Sequence, residues 1–546
     1  MASRGDPVEG LVAEYVEGRI DRRQFLRRAA ALGLTLPAAS ALLAGTGGTA
    51  AAATGAADES GAAAGTLRIR MLNDIANLDP AFYPTLDDSN VSVAVNEGLV
   101  TFKPGTFQVV NQLADKFTPS RDGLSFDFTL KKGILFHGNY GELTADDVKF
   151  SYERIADPKL KSPYAGDWAA LKEVKVKDKY SGTIILKRPF AALLRSTLPV
   201  GSGLILSRKA VAERGKKYAT HPIGSGPYEF VKWTPKQKVV LKRFAQYGGA
   251  SNAYMGSKWS EIDFIPIEDD NASDIALQSG QLDFAQLSLA GIDRVLSNSK
   301  FSVTKRVSLN YQWIGMNIRH PKLRDIRVRQ AIRAAIDVPS IMQAAFEGKW
   351  QRATAIIPPG MKLGYWAGAP THPRNVAQAK ALLQAAKVSN LELTFTYTEQ
   401  TGADALAQIV QQNLGDIGIK LDLKKIDSGT FYTLGKNERA RQLFFVGFVT
   451  EPDPSWSMVW FTCAQLDVWN WMYWCDAPFD QLQTKGLQTL SNAERNRIYI
   501  QMQKRWDENS NAVWIAWPTY YFGAKKGIRP AISPHAWTIA YAFEKA

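Results

Sequence analysis

The sequence predicts an α/β protein of at least two lobes, and three observations carry that reading. Its 546 residues exceed what one hydrophobic core organises, so the chain must divide. Strand-period and helix-period stretches alternate along it. The sharpest change of period falls at Gly418, where an apolar helical stripe stops and an alternating strand begins.

The N-terminus reads as an address. Arg22-Arg23 is followed by Phe25-Leu26-Arg27, an apolar run over residues 29–44 and a small-residue stretch over 50–53. This is the order of a signal peptide, and it resembles a twin-arginine export signal, with Asp21 where such signals usually carry Ser or Thr. The apolar run is about sixteen residues, short of the ~20 that span a bilayer. Residues 1–57 are therefore read as a cleavable signal and 58–65 as a linker. Thr46 stands where a lipid-anchored protein would need Cys, so a soluble, periplasmic product is expected.

In the remainder, Leu67 to Met71 alternates apolar and polar, as do Ser125 to Leu130 and Thr183 to Leu186. Thr144 followed by Asp146-Asp147 has the form of a helix N-cap, with Val148, Tyr152 and Ile155 at helical spacing behind it. Val328, Ala331, Ile332, Ala335 and Ile336 form one apolar helical stripe. Val376, Ala379, Leu382, Leu383 and Ala386 form a second behind an Asn375 cap. Leu406, Ile409, Val410, Leu414 and Ile417 form a third, ending at Gly418 before the strand that starts at Ile419.

Composition excludes several classes. The net charge is +14, but the Lys and Arg are dispersed and run at most in pairs, so a solvated basic surface is expected and nucleic acid is not. No nucleophile elbow, zinc-protease helix or phosphate loop is present. The five His lie far apart, so neither metal nor cofactor is expected. Cys463 and Cys475 stand in a Trp-rich stretch; in an exported chain such a pair predicts one disulfide, with two buried thiols as the alternative.

Several stretches, taken in order, resemble the family 5 extracellular solute-binding proteins of ABC importers, the dipeptide, oligopeptide and nickel group. They include Leu78-Asp79-Pro80, Asn96-Glu97-Gly98-Leu99, Phe136-His137-Gly138, Leu143-Thr144-Ala145-Asp146-Asp147-Val148, Gly224-Ser225-Gly226-Pro227-Tyr228, Val328-Arg329-Gln330-Ala331 and Ala379-Lys380-Ala381-Leu382-Leu383. The resemblance implies a two-lobed periplasmic-binding-protein fold, type II and cluster C-like, with two hinge strands and a ligand cleft between the lobes. By that likeness residues 66–308 with 516–546 form lobe one, 309–515 form lobe two, and the hinge strands lie near 309–315 and 513–517. It implies a monomer that delivers a peptide-like or amine-bearing molecule to ABC importer permease subunits.

The resemblance also suggests ligand contacts. Asp453 would pair with a ligand amine, as the Asp of a similar Asp-Pro step does in peptide-binding relatives; the competing reading is an Asp that opens a turn. Glu399-Gln400 stands where dipeptide-binding relatives place an Arg for the ligand carboxylate, which points away from a strict dipeptide specialist. Tyr83, Tyr311, Trp313, Trp456, Trp469, Trp471 and Tyr520 are candidate cleft walls, each with lobe core as its alternative. A secreted hydrolase and a ligand-sensing receptor module are the rival functions, and the second shares the same fold.

Overall fold

The computed structural model describes Gln24 and residues 65–247, 258–434, 437 and 441–545. Arg22 and Arg23, with nearly all of the expected signal and linker, lie outside the described residues. The fold lies within the compact unit from Ala63 to Ala546.

Three sheets organise it. The first has seven strands in the order Tyr228–Thr234, Lys238–Arg243, Glu261–Pro266, Thr66–Met71, Phe284–Gln286, Thr519–Lys525 and Phe301–Val307. Thr66–Met71 pairs in parallel with Glu261–Pro266, and its Leu67, Ile69 and Met71 point into the core as the alternation predicts. The second sheet has six strands in the order Gln351–Arg352, Ala512–Trp517, Tyr311–Met316, Leu443–Phe448, Glu392–Tyr397 and Lys420–Lys425. A third, antiparallel sheet of Ala114–Pro119, Ser125–Leu130, Ser181–Leu186 and Leu171–Asp178 extends the first lobe over its own core of Phe126, Tyr152, Trp168 and Ile184.

The helical stripes fold as read. Ile326–Ala335 is capped by Asp325, Val376–Ala385 by Asn375, and Ala403–Gly415 precedes Gly418, whose φ of 79° ends the turn. These helices and Val338–Phe346 cover one face of the second sheet. Its other face carries an aromatic core with Trp313, Phe444, Phe461, Trp471 and Trp506. Both faces being covered, the middle strands Tyr311–Met316 and Ala512–Trp517 are buried at every residue.

The chain crosses between the two large sheets around Ser308–Asn310 and at Pro518, where the Ser308 N–H donates to the Pro518 carbonyl at 2.9 Å. Residues 309–315 and 513–517, read from sequence as hinge strands, belong largely to the second sheet; the crossings are the short links beside them. Among the described residues no helix is long and apolar enough to cross a membrane.

Candidate functional site

A cavity of about 370 Å³ opens between the lobes beside both crossings. Its walls include the amides of Asn310, Gln312 and Gln400, the rings of Tyr520, Tyr521 and His535, and the carboxylates of Asp87 and Asp270. The Asn310 amide donates to the Tyr520 hydroxyl at 3.3 Å, and Gln312 Nε2 donates to Gln400 Oε1 at 3.5 Å. Leu72, Leu86 and Val449 line the same cavity with exposed side chains, giving it an apolar rim. Arg70 also lines it, but its guanidinium is committed to the carbonyls of Ile267, Gln286 and Glu268 and to Asp270.

Two residues beyond Val449 stands Glu451. Its Oε2 is buried and has no hydrogen-bond partner. Lobe one offers it Asp167, Tyr83 and Tyr164. Tyr83 and Tyr164 stack at 4.6 Å, the Tyr164 hydroxyl donates to the Tyr83 carbonyl at 2.7 Å, and Ser202 donates to Asp167 Oδ2 at 2.7 Å. Gly201 permits this packing, because a Cβ there would lie 2.0 Å from the Tyr83 hydroxyl.

Burial, and then the charge of Asp167, push the Glu451 carboxyl up to about 8. Burial pushes Asp167 up to about 7 against the Ser202 bond. Tyr83 and Tyr164 are raised by burial first, and both carboxylates add to the effect. Among the described residues neither carboxylate joins an ion pair. Two carboxylates from opposite lobes therefore share one poorly solvated place, where the second to ionise meets the charge of the first. A cation set there would relieve both.

Asp453, expected to meet a ligand amine, does something else. It is fully buried and caps the helix Pro454–Val459 by accepting from the Ser455 N–H. Its Oδ1 accepts from Arg495 at 2.7 Å, and Arg195 of the other lobe lies 3.6 Å from Oδ2. Burial opposes its charge, but Arg495 and then Ser455 and Arg195 outweigh burial and hold the carboxyl below its usual range. The carboxylate is thus paired within the protein through Oδ1, while its buried Oδ2 has the charge of Arg195 nearby but accepts no hydrogen bond. Arg195 also donates to the Pro452 carbonyl at 3.2 Å, and the Ala191 N–H donates to Leu487 O at 2.8 Å, so the lobes touch beside the site.

The model of the bacterial extracellular solute-binding proteins, family 5, matches residues 108–467. The chain belongs to that family. It is 29% identical over 496 residues to the probable di/tripeptide-binding protein 5 of Pseudomonas aeruginosa, covering 84% of this chain and 91% of that one. It is 25% identical over 452 residues to the glutathione-binding protein GsiB of Shigella flexneri, covering 79% and 86%. The periplasmic binding protein DppA of Helicobacter pylori, solved with the peptide STSA, superposes with a TM-score of 0.76 at 22% identity over 88% of this chain and 98% of that one.

In this solute-binding fold several expected cleft walls are core. Tyr311 and Trp313 on a middle strand and Trp471 on the disulfide loop are fully buried together in the aromatic core on one face of the second lobe's sheet. Trp456 and Trp469 are half-buried and pack on Trp460 at 5.5 and 6.0 Å, outside the cavity lining. Glu399 is exposed and pairs with Lys425, while its neighbour Gln400 lines the cavity. Tyr520 lines the cavity, and Tyr83 joins the acidic pair instead. Cys463 and Cys475 form a disulfide that closes the loop carrying Trp469 and Trp471. Among the described residues no group of three or more potential ligands is placed to hold a metal ion.

Sequence reading passed over Glu451, Asp167, Tyr164 and His535. A signal for Glu451 was present. In Glu451-Pro452-Asp453-Pro454 the Asp-Pro step marks a helix cap with Pro at the first helical position, which leaves Glu451 as the uncommitted acid. Asp167 carries no comparable mark, since its role depends on how the third sheet turns its loop toward the other lobe.

Proposed function

We propose that this protein captures a small peptide-like molecule bearing a free amine outside the cytoplasm and delivers it to the permease subunits of an ABC importer. The ammonium sits between Glu451 of one lobe and Asp167 of the other, beside the Tyr83–Tyr164 stack, and the rest of the ligand runs into the amide-lined cavity. The unpartnered, buried oxygen of Glu451 opposite a second carboxylate carries this reading. A buried carboxylate without a partner is costly, and a charged hydrogen bond offsets that cost. Di- and tripeptides and glutathione, named for two relatives, both present such an amine.

In the same proposal lobes of about 66–308 with 516–546 and 309–515 close over the ligand, and the closed surface docks on the importer. The protein works as an exported, unanchored monomer, with Arg22-Arg23 in its export signal.

The test is a thermal-shift panel on protein stripped of ligand by unfolding and refolding. Ligand at a thousand times its Kd adds about 4 kcal/mol and raises Tm by several degrees. A shift with free-amine peptides supports the reading. A shift only with sugars, or product formation from the peptides, overturns it.

A further inference from the structure

Of the five histidines, His535 has the least ordinary surroundings. Only 5% of it is exposed, and neither ring nitrogen has a hydrogen-bond partner. It stacks on Phe107 at 5.7 Å and meets the edge of Trp537 at 4.4 Å. A tight turn holds it: the Ser533 N–H donates to Trp537 O at 2.9 Å, the Trp537 N–H to Ser533 Oγ at 2.8 Å, and Ala536 takes a φ of 70° that a non-glycine residue rarely adopts. That turn sets the imidazole in the wall between the interlobe cavity and a second cavity of about 60 Å³ inside lobe one, lined by Val100, Phe102, Leu198, Val200 and Tyr541.

An imidazole needs polar partners for two nitrogens, and burying both without them is unfavourable by more than ring packing restores. Strain in the turn at Ala536 adds to the same side, as it does where a fold holds a side chain for a ligand. Burial drives the ring pKa down to about 3, so the ring stays neutral, with one donor and one acceptor. The cavity it borders is also lined by the neutral amides of Asn90, Asn310, Gln312 and Gln400; its carboxylates Asp87 and Asp270 accept from Asn73 and Arg70, and Arg70 is spent on its own bonds. Such a wall recognises a group that both donates and accepts without charge. It offers no counter-ion to a carboxylate.

We infer that His535 is a specificity-determining residue that reads a neutral amide of the ligand, so that the cleft favours a ligand whose far end is an amide over one ending in a free carboxylate. This rests on the amine-binding reading of the same cleft.

The experiment compares trialaninamide with trialanine by calorimetry on stripped protein, in wild type and in His535→Phe, which keeps the ring packing and removes both nitrogens. Wild type should bind the amide roughly tenfold more tightly, the scale of one unfavourable buried polar contact. His535→Phe should lose that preference. Nitrogen-15 spectra of the wild-type histidines provide a readout independent of the variant's folding: the His535 ring nitrogens should shift when trialaninamide is added. Equal or tighter binding of the free acid, an unmoved His535 signal, or a preference that survives in a folded His535→Phe overturns the inference while leaving amine capture standing. Stabilisation by nickel alone that needs His535 overturns the amide assignment in favour of a metal complex. Silence from both peptides removes the amine reading and this inference with it.

Discussion

Arg495 donates to Asp453 at 2.7 Å with both side chains entirely buried. Arg495 also donates to the Gly486 carbonyl at 3.0 Å, tying the helix Ala477–Gln488 to the helix that starts at Pro454. The carboxylate that the family resemblance offers to a ligand is therefore ion-paired within the protein, and among the described residues the acid two residues before it has no ion pair.

Asp453→Asn should destabilise the fold by about 3–5 kcal/mol, the usual result of leaving one buried charge unpaired. Urea unfolding measures it through the midpoint. An unchanged midpoint with lost peptide binding would return Asp453 to the ligand.

Arg195→Ala should leave the unfolding midpoint nearly unchanged, because this cation is partly exposed and its ion pair at 3.6 Å is worth ~1 kcal/mol or less. It should instead speed ligand release, by about three- to tenfold, since it bonds across the lobes to Pro452. Stopped-flow dissociation reads this directly. An unchanged release rate would deny it a part in closure.

The acidic pair makes stability depend on pH in a stated direction. Glu451 and Asp167 sit near 8 and 7 in the folded protein, above their ordinary values of 4.5 and 3.8. The native state therefore holds these protons longer than the unfolded chain. Their contribution is fully present below the ordinary values and is lost as pH rises through 7 and 8. An ammonium that needs both groups ionised should release protons on binding at about pH 6.5. Calorimetry in buffers of different ionisation heat counts them, and Glu451→Gln should lower the count. No proton release in wild type would mean that the pair does not meet the ligand's charge.

Replacing Cys463 and Cys475 together by Ser frees a short loop and should lower stability by about 2–4 kcal/mol. Peptide affinity should stay within about threefold, because the loop's Trp471 is core and Trp469 lies outside the cavity. A large loss of affinity in folded protein would place that loop at the ligand.

Local order was legible in the sequence, and tertiary convergence was not. The stripe from Val328, the Asn375 cap and the break at Gly418 follow from helix geometry alone, and each appears where periodicity puts it. Tyr311, Trp313 and Trp471 look the same in sequence whether they line a cleft or fill a core, and only the second cover on the sheet decides for core. Glu451 and Asp167 are far apart in the chain, and nothing local records that the lobes bring them together. Asp453 shows the reverse: its local context, an Asp before a Pro at a helix start, is that of a cap, whereas likeness to peptide binders points to a ligand.

The most direct test of the central claim is the affinity of the stripped protein for one tripeptide, with its amine free and then acetylated. Acetylation removes the cation and keeps every other group. Capture of the ammonium by Glu451 and Asp167 predicts a loss of roughly 30-fold or more, as for a buried charge left without its partner, and a much smaller difference in Glu451→Gln. Equal affinity for the two peptides in wild type would contradict it.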